Sequence, residues 1–255
     1  MSGHVRLLIE PAVARVTLSN PAKFNAMSRA MWRELRQVFT ELQQRTDLRV
    51  VLVGGEGGHF CSGGDIAEYT DFRFDPEGLR NFHENDVWSG LSAMLACDLP
   101  IVAQIEGNCM GAGVEIASCC DIRIAAQGAR FGAPIAKLGF PMAPREAELV
   151  VREVGLATAR QMLLEAAVLD APTLLARGFL QTVLPDADVP AESLQRAQRI
   201  ARLAPQAARL NKQALRALAG PQGLAALLPT AYDYADSAEH REGIAAFLDK
   251  RPPNF

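Results

Sequence analysis

Histidine is scarce in this chain, with four in 255 residues, and its five cysteines include no Cys-x-x-Cys pair. A zinc centre built from paired thiolates and imidazoles is therefore not expected. Cys61, Cys97, Cys109, Cys119 and Cys120 are odd in number in a long chain. They read as reduced, buried thiols, and the expected compartment is the cytoplasm. Long apolar runs are missing as well, since none reaches the roughly 18 residues of a spanning helix. Residues 1–10 carry no apolar stretch behind a basic start, so no secretory leader is expected. Positive charge is not in excess: Lys and Arg number 26 against 29 Asp and Glu, a formal net charge of -3. Neither nucleic acid nor a membrane surface is an expected partner.

What remains is an ordinary soluble composition, 49% apolar and 22% charged. The length suits one large domain or two small ones, with a core that needs no covalent staples. Residues 7–10 and 14–18 read as short strands around a turn at Pro11-Ala12. After a breaking segment at residues 20–26, Ser28 is a plausible N-cap. Behind it Met31, Leu35, Val38, Phe39 and Leu42 recur at helical spacing. Val50-Val51-Leu52-Val53 is wholly apolar and suits a strand buried on both faces.

Six glycines follow within the twelve residues 54–65. A second cycle repeats the grammar: a strand at 100–105, a glycine-rich turn at 107–113, a helix at 114–120 and a strand at 122–125. Strand, glycine loop, helix and strand again predict an α/β fold of ββα-like units. Between the cycles, residues 68–96 begin irregularly and become helical, as a lid or pocket wall would. Beyond about residue 190 the segments 192–203, 205–218 and 223–248 are rich in Ala, Leu and Arg and read as helices.

Glycine loops serve tight turns through positive φ. They also let backbone N–H groups approach a ligand, and two such groups converging on one oxygen make an oxyanion hole. Phosphate cradling is the rival use. Neither loop carries a following Lys, and position 116 is isoleucine where Gly-x-Gly-x-x-Gly needs glycine. Glu115 stands three residues after Ala112 in an apolar helix, so the two share a face. A carboxyl in apolar surroundings has a raised pKa, as a general acid or base at neutral pH requires. The plainer alternatives are a helix-start charge favoured by the dipole, or a pair with Arg123.

At these residues the sequence resembles the crotonase superfamily, the enoyl-CoA hydratase/isomerase family. The match runs through Phe60-x-x-Gly63-x-Asp65, Gly107-x-x-x-Gly111-x-Gly113-x-Glu115, Asn20-Pro21-x-Lys23-x-Asn25-Ala26, residues 130–134 and residues 240–251. The resemblance implies a spiral of ββα units over residues 1–190, carrying the coenzyme A and oxyanion-hole site. It implies a helical region at 191–255 that packs in a homotrimer or hexamer. It makes an acyl-CoA thioester the substrate, with no separate cofactor. The N–H groups of Gly64 and Ala112 would hold the thioester oxygen and Glu115 would be catalytic. Lys23, Phe24, Cys61, Gly63, Asp65 and Ile66 match coenzyme A-binding positions, and Phe247 and Lys250 match residues that reach a neighbouring subunit's coenzyme A.

The segment at 142–148 departs from that pattern, and so, more importantly, does one earlier position. The family's hydratases place a second glutamate after the proline of the strand at 130–134, where this chain has Ile135. Three readings stay open. Glu115 is the sole base of an isomerase or weak hydratase; or Glu146 or Glu148 replaces the missing acid; or His83 or Asp86, three apart on one expected helix and so able to share a face, takes part in hydrolysis or decarboxylation. A non-catalytic acyl-CoA binder is the alternative outside enzymes. The pocket lining is expected to draw on Phe72, Phe74, Phe82 and Trp88.

Overall fold

The computed structural model describes residues 3–219 and 223–255. The chain opens with a hairpin, β1 (His4–Glu10) and β2 (Val13–Ser19), followed by α1 (Arg29–Gln44) and β3 (Val50–Gly55). The segment between the glycine loops holds α2 (Pro76–Asn81), a π-helical turn at Phe82–Val87, and α3 (Trp88–Ala96). Then come β4 (Ile101–Ile105), β5 (Asn108–Met110), α4 (Ala112–Ser118), β6 (Ile122–Ala126) and β7 (Arg130–Gly132). They are followed by α5 (Pro144–Val154), α6 (Leu156–Leu164), β8 (Val168–Asp170), α7 (Ala171–Ala176) and β9 (Thr182–Leu184). Three helices close the chain: α8 (Val189–Ala201), α9 (Pro205–Ala219) and α10 (Ala238–Leu248).

The strands form two sheets, ordered β1-β2-β3-β4-β6-β9 and β5-β7-β8. Only the β1–β2 and β7–β8 pairs are antiparallel. From β4 to β7 successive strands alternate between the sheets: β4 and β6 belong to the first, β5 and β7 to the second. This is the expected ββα spiral. Residues 50–53 are fully buried because β3 pairs with β2 on one side and β4 on the other, while α8 lies across the sheet. Ser28 caps α1, its side chain accepting from the Met31 N–H at 3.2 Å, and the apolar face at Met31, Leu35, Phe39 and Leu42 is core.

Two readings are corrected here. The short strand β5 sits inside what reads as a plain glycine turn, because residues 108–110 pair in register with β7. The expected helix at 223–248 is instead two 3-10 turns (Gly223–Ala226 and Leu228–Thr230), further turns and α10. Pro229 cannot donate within a helix, and the Ser237 side chain accepts from the His240 N–H, starting α10 afresh. Helix α8 begins at Val189, one residue before the boundary expected at 190, and packs on β3, β4 and β6. Among the described residues no helix is long and apolar enough to cross a membrane.

Candidate active site

The two glycine loops are bound to each other through backbone. Cys61 N–H donates to the Asn108 carbonyl at 2.9 Å, and Met110 N–H donates to the Cys61 carbonyl at 2.8 Å. Gly113 lies so close that a Cβ on it would sit 2.6 Å from the Cys61 carbonyl oxygen. Gly111 has φ 48° and ψ -110°, a backbone shape that only glycine adopts without strain. That kink starts α4 with the Ala112 N–H leading, and the first N–H groups of a helix have no partner inside it. The Gly64 N–H is likewise taken by no backbone carbonyl of the described residues. Gly64, Ala112 and Glu115 all line one cavity of about 410 Å³.

Glu115 projects from the first turn of α4 and is 6% exposed. Burial, first, and the charge of Glu146, second, push its carboxyl well above the usual carboxylate range. Glu146 lines the same cavity from the first turn of α5 and is 4% exposed. Its carboxylate meets His83 Nδ1 at 2.7 Å, and His83 also borders the cavity. Two carboxyls and an imidazole therefore face the space beside the two backbone donors. Ile135 lines the cavity as well and adds an apolar wall beside these groups.

The structure places the candidate side chains in different surroundings. Glu146 is buried where a helix-start charge is usually solvated, while Glu148 is exposed and borders no part of the cavity. His83 and Asp86 do not work together. The turn carrying them is π-helical, with the Trp88 N–H bonded to the His83 carbonyl, so the spacing of an α-helix does not hold. Asp86 is buried instead against Arg29 and Arg33, at 2.7 Å from each. Arg123 does not pair with Glu115. It donates to the carbonyls of Phe179, Ala117 and Cys120 and meets Glu153 at 3.3 Å.

The residues matched to coenzyme A positions fall in four groups. Gly63 and Ile66 line the cavity with Gly64. Lys23 and Asp65 lie outside that lining and pair at 2.6 Å, while Phe24 is exposed in a left-handed turn with its ring 4.6 Å from that of His59. The Cys61 side chain is fully buried, which pushes its thiol up to about 12, and its backbone is engaged in tying the two glycine loops together. Phe247 (82% exposed) and Lys250 are carried at the end of α10 and do not border the cavity. Of the expected aromatic lining, Phe82 borders the cavity and Phe72 packs behind it, with ring centroids 4.7 Å apart. Phe74 is 88% exposed and Trp88 lies under Arg145.

Sequence reasoning missed three residues that shape the site. Tyr69 brings its hydroxyl over Gly64, where a Cβ would collide with it, and burial pushes that phenol up to about 12. Arg73 and Phe140 stack on each other at 3.5 Å, and both line the cavity. No spacing links positions 69 and 73 to 140; tertiary packing alone joins them.

Over residues 9–255 the chain matches the enoyl-CoA hydratase/isomerase family, and it belongs to that family. It is 30% identical to the protein described as probable enoyl-CoA hydratase echA8 of Mycobacterium tuberculosis (strain CDC 1551 / Oshkosh), over 95% of this chain and 94% of that one. It is 31% identical to a 2,3-dehydroadipyl-CoA hydratase of Escherichia coli (strain K12), with the same coverage. A crystal structure of an enoyl-CoA hydratase/carnithine racemase from Magnetospirillum magneticum superposes with a TM-score of 0.95 at 36% identity, covering 98% of this chain and 94% of the other. The fold is that of the crotonase superfamily.

Proposed function

We propose that the protein hydrates a 2-enoyl-CoA thioester, in fatty-acid or related acyl-CoA metabolism. The observation that carries this is the meeting of Glu115 and Glu146 in the cavity that Gly64 and Ala112 also line. The thioester oxygen accepts from the two backbone N–H groups, which favour the enolate because they are aimed where negative charge develops. Glu146, anchored on His83, takes a proton from water as the water oxygen bonds to the β-carbon. The π electrons of the double bond move onto the thioester oxygen. Glu115, whose carboxyl burial and Glu146 hold well above the usual carboxylate range, delivers its proton to the α-carbon as the enolate collapses. The proton on Glu146 then leaves through solvent, and Glu115 is reprotonated. Lys23, Phe24, Asp65 and Ile66 hold the coenzyme A portion, with no separate cofactor.

A second reading rests on Ile135. An apolar wall at that point favours moving a double bond between the 3- and 2-positions, with Glu115 as the single base. Crotonyl-CoA and a 3-enoyl-CoA, assayed side by side, separate the two. Hydration of crotonyl-CoA that falls by about 10²–10⁴ in Glu146→Gln supports the hydratase. Conversion of the 3-enoyl-CoA that survives Glu146→Gln supports the isomerase. Binding of both thioesters with turnover of neither would sink both and leave a non-catalytic binder.

Assembly follows from the C-terminal surface. Leu215 and Leu218 are exposed on α9, and Ile244, Phe247 and Leu248 on α10; exposed apolar side chains of this size are commonly covered in an interface. The protein is proposed to form a homotrimer or hexamer in which Phe247 and Lys250 reach a neighbour's coenzyme A.

A further inference from the structure

The cavity holds a cation whose hydrogen-bonding capacity its own walls do not fill. Arg73 lines it, and the Arg73 Nη1 atom is buried with no hydrogen-bond partner among the described residues. The guanidinium is held between two rings, 3.5 Å from the centroid of Phe140 and 4.5 Å from that of Tyr69. Such stacking orients the planar group but leaves its N–H fork unsatisfied. Glu146, the carboxylate acting on it through space, is already bonded to His83. A second buried donor borders the same cavity: Trp32 Nε1 also lacks a partner. Around these donors the walls are apolar, with Phe82, Val87, Leu138 and Met142. Buried donors are ordinarily satisfied by protein, water or a bound molecule, so donors left open on a cavity wall are places where a ligand acceptor can bind.

We infer that Arg73 selects acyl groups that carry a carboxylate, so that the preferred substrate is the coenzyme A monothioester of a dicarboxylic acid. The inference rests on the acyl-CoA reading of this cavity. An ordinary fatty acyl chain offers no acceptor, and would leave the guanidinium buried and unpaired. A carboxylate at a suitable distance from the thioester meets the fork with charge-assisted bonds. Arg73 acts here as a specificity residue: the carboxylate it receives is remote from the carbons that react.

Calorimetric binding of unreactive saturated thioesters tests this without depending on turnover. Succinyl-, glutaryl- and adipyl-CoA are each compared with butyryl-, valeryl- and hexanoyl-CoA. For at least one chain length the carboxylate-bearing member is expected to bind about tenfold to a hundredfold more tightly than its methyl-ended counterpart. In Arg73→Met, which keeps the stem over Phe140, that ratio is expected to fall towards one. Arg73→Lys is expected to retain part of it through charge alone. Equal binding of both series by the natural protein would overturn the selectivity and leave the acyl-CoA reading standing. A preference that Arg73→Met retains in full would assign it to another residue. Failure to bind either series would overturn both readings.

Discussion

Glu115 carries the sharpest energetic conflict in the molecule, because a carboxyl placed for chemistry is also a carboxyl taken out of water. Burial and Glu146 hold its pKa well above the ordinary 4.5. The unfolded chain gives up this proton near 4.5 while the folded chain keeps it, so the folded state binds more protons above that pH. Its contribution to stability is therefore fully present below about 4.5 and is lost as pH rises through the folded value. Replacing it by glutamine removes that loss. Glu115→Gln is expected to cut turnover by about 10²–10⁴. The same change is expected to raise Tm at neutral pH, by roughly 2–4 °C for each kcal/mol relieved. Thermal unfolding at acid and neutral pH checks the sign, since the gain should shrink on the acid side.

Glu146 supplies a second test of the same pair. Its charge is the lesser of the two causes that hold Glu115 up. In Glu146→Gln the Glu115 carboxyl is expected to titrate at lower pH, though still above the ordinary value because burial persists. Infrared titration of the carboxyl band reads this directly, whether or not the variant turns over. An unmoved midpoint would mean that the two groups are not in electrostatic contact.

The two glycine loops behave as one element. Their hydrogen bonds run between Cys61, Asn108 and Met110, and the approach of Gly113 to the Cys61 carbonyl sets how near Gly64 comes to Ala112. Gly113→Ala must push backbone from backbone, and is expected to cost about 1–3 kcal/mol of stability together with most of the turnover. Gly54→Ala is the control, because its Cβ would meet Gln104 at an ordinary 3.7 Å. Denaturant unfolding and initial rates on both variants check the contrast. Comparable damage from the two changes would show that the loops tolerate separation. A similar tie holds the loop at residues 20–26, where the Asn25 side chain donates to the carbonyls of Glu56 and His59 at 2.8 and 2.7 Å. The loop at residues 20–26 and the first glycine loop thus share one frame.

For the molecule as an assembly, the apolar C-terminal surface makes the expectation. Light scattering behind size exclusion should return three or six copies. Phe247→Asp places a charge among the exposed apolar side chains of α10 and is expected to shift the population to monomer at micromolar concentration. It should also weaken coenzyme A binding if Phe247 serves a neighbour's site. A natural protein that runs as a monomer would remove the partner role of Phe247 and Lys250, while leaving the cavity chemistry untouched.

The sequence alone determined the parts of this protein that are local. A buried strand running into glycines, and a carboxyl one helical turn behind a helix-opening amide, are written within a dozen positions. Backbone geometry turns such spacing into placement. The motifs also identified the family and the ββα spiral. Only the tertiary structure decided which acid joins Glu115. Glu146 and His83 are 63 positions apart, and nothing local distinguishes Glu146 from Glu148, two residues away on the same helix. Rotation of α5 about its own axis decides it, burying one and exposing the other. The π-helical turn likewise sent His83 to the cavity and Asp86 to Arg29 and Arg33, a division that α-helical spacing conceals. Arg73 was invisible for the same reason: its meaning lies in the absence of a partner, and that is a property of three-dimensional neighbours.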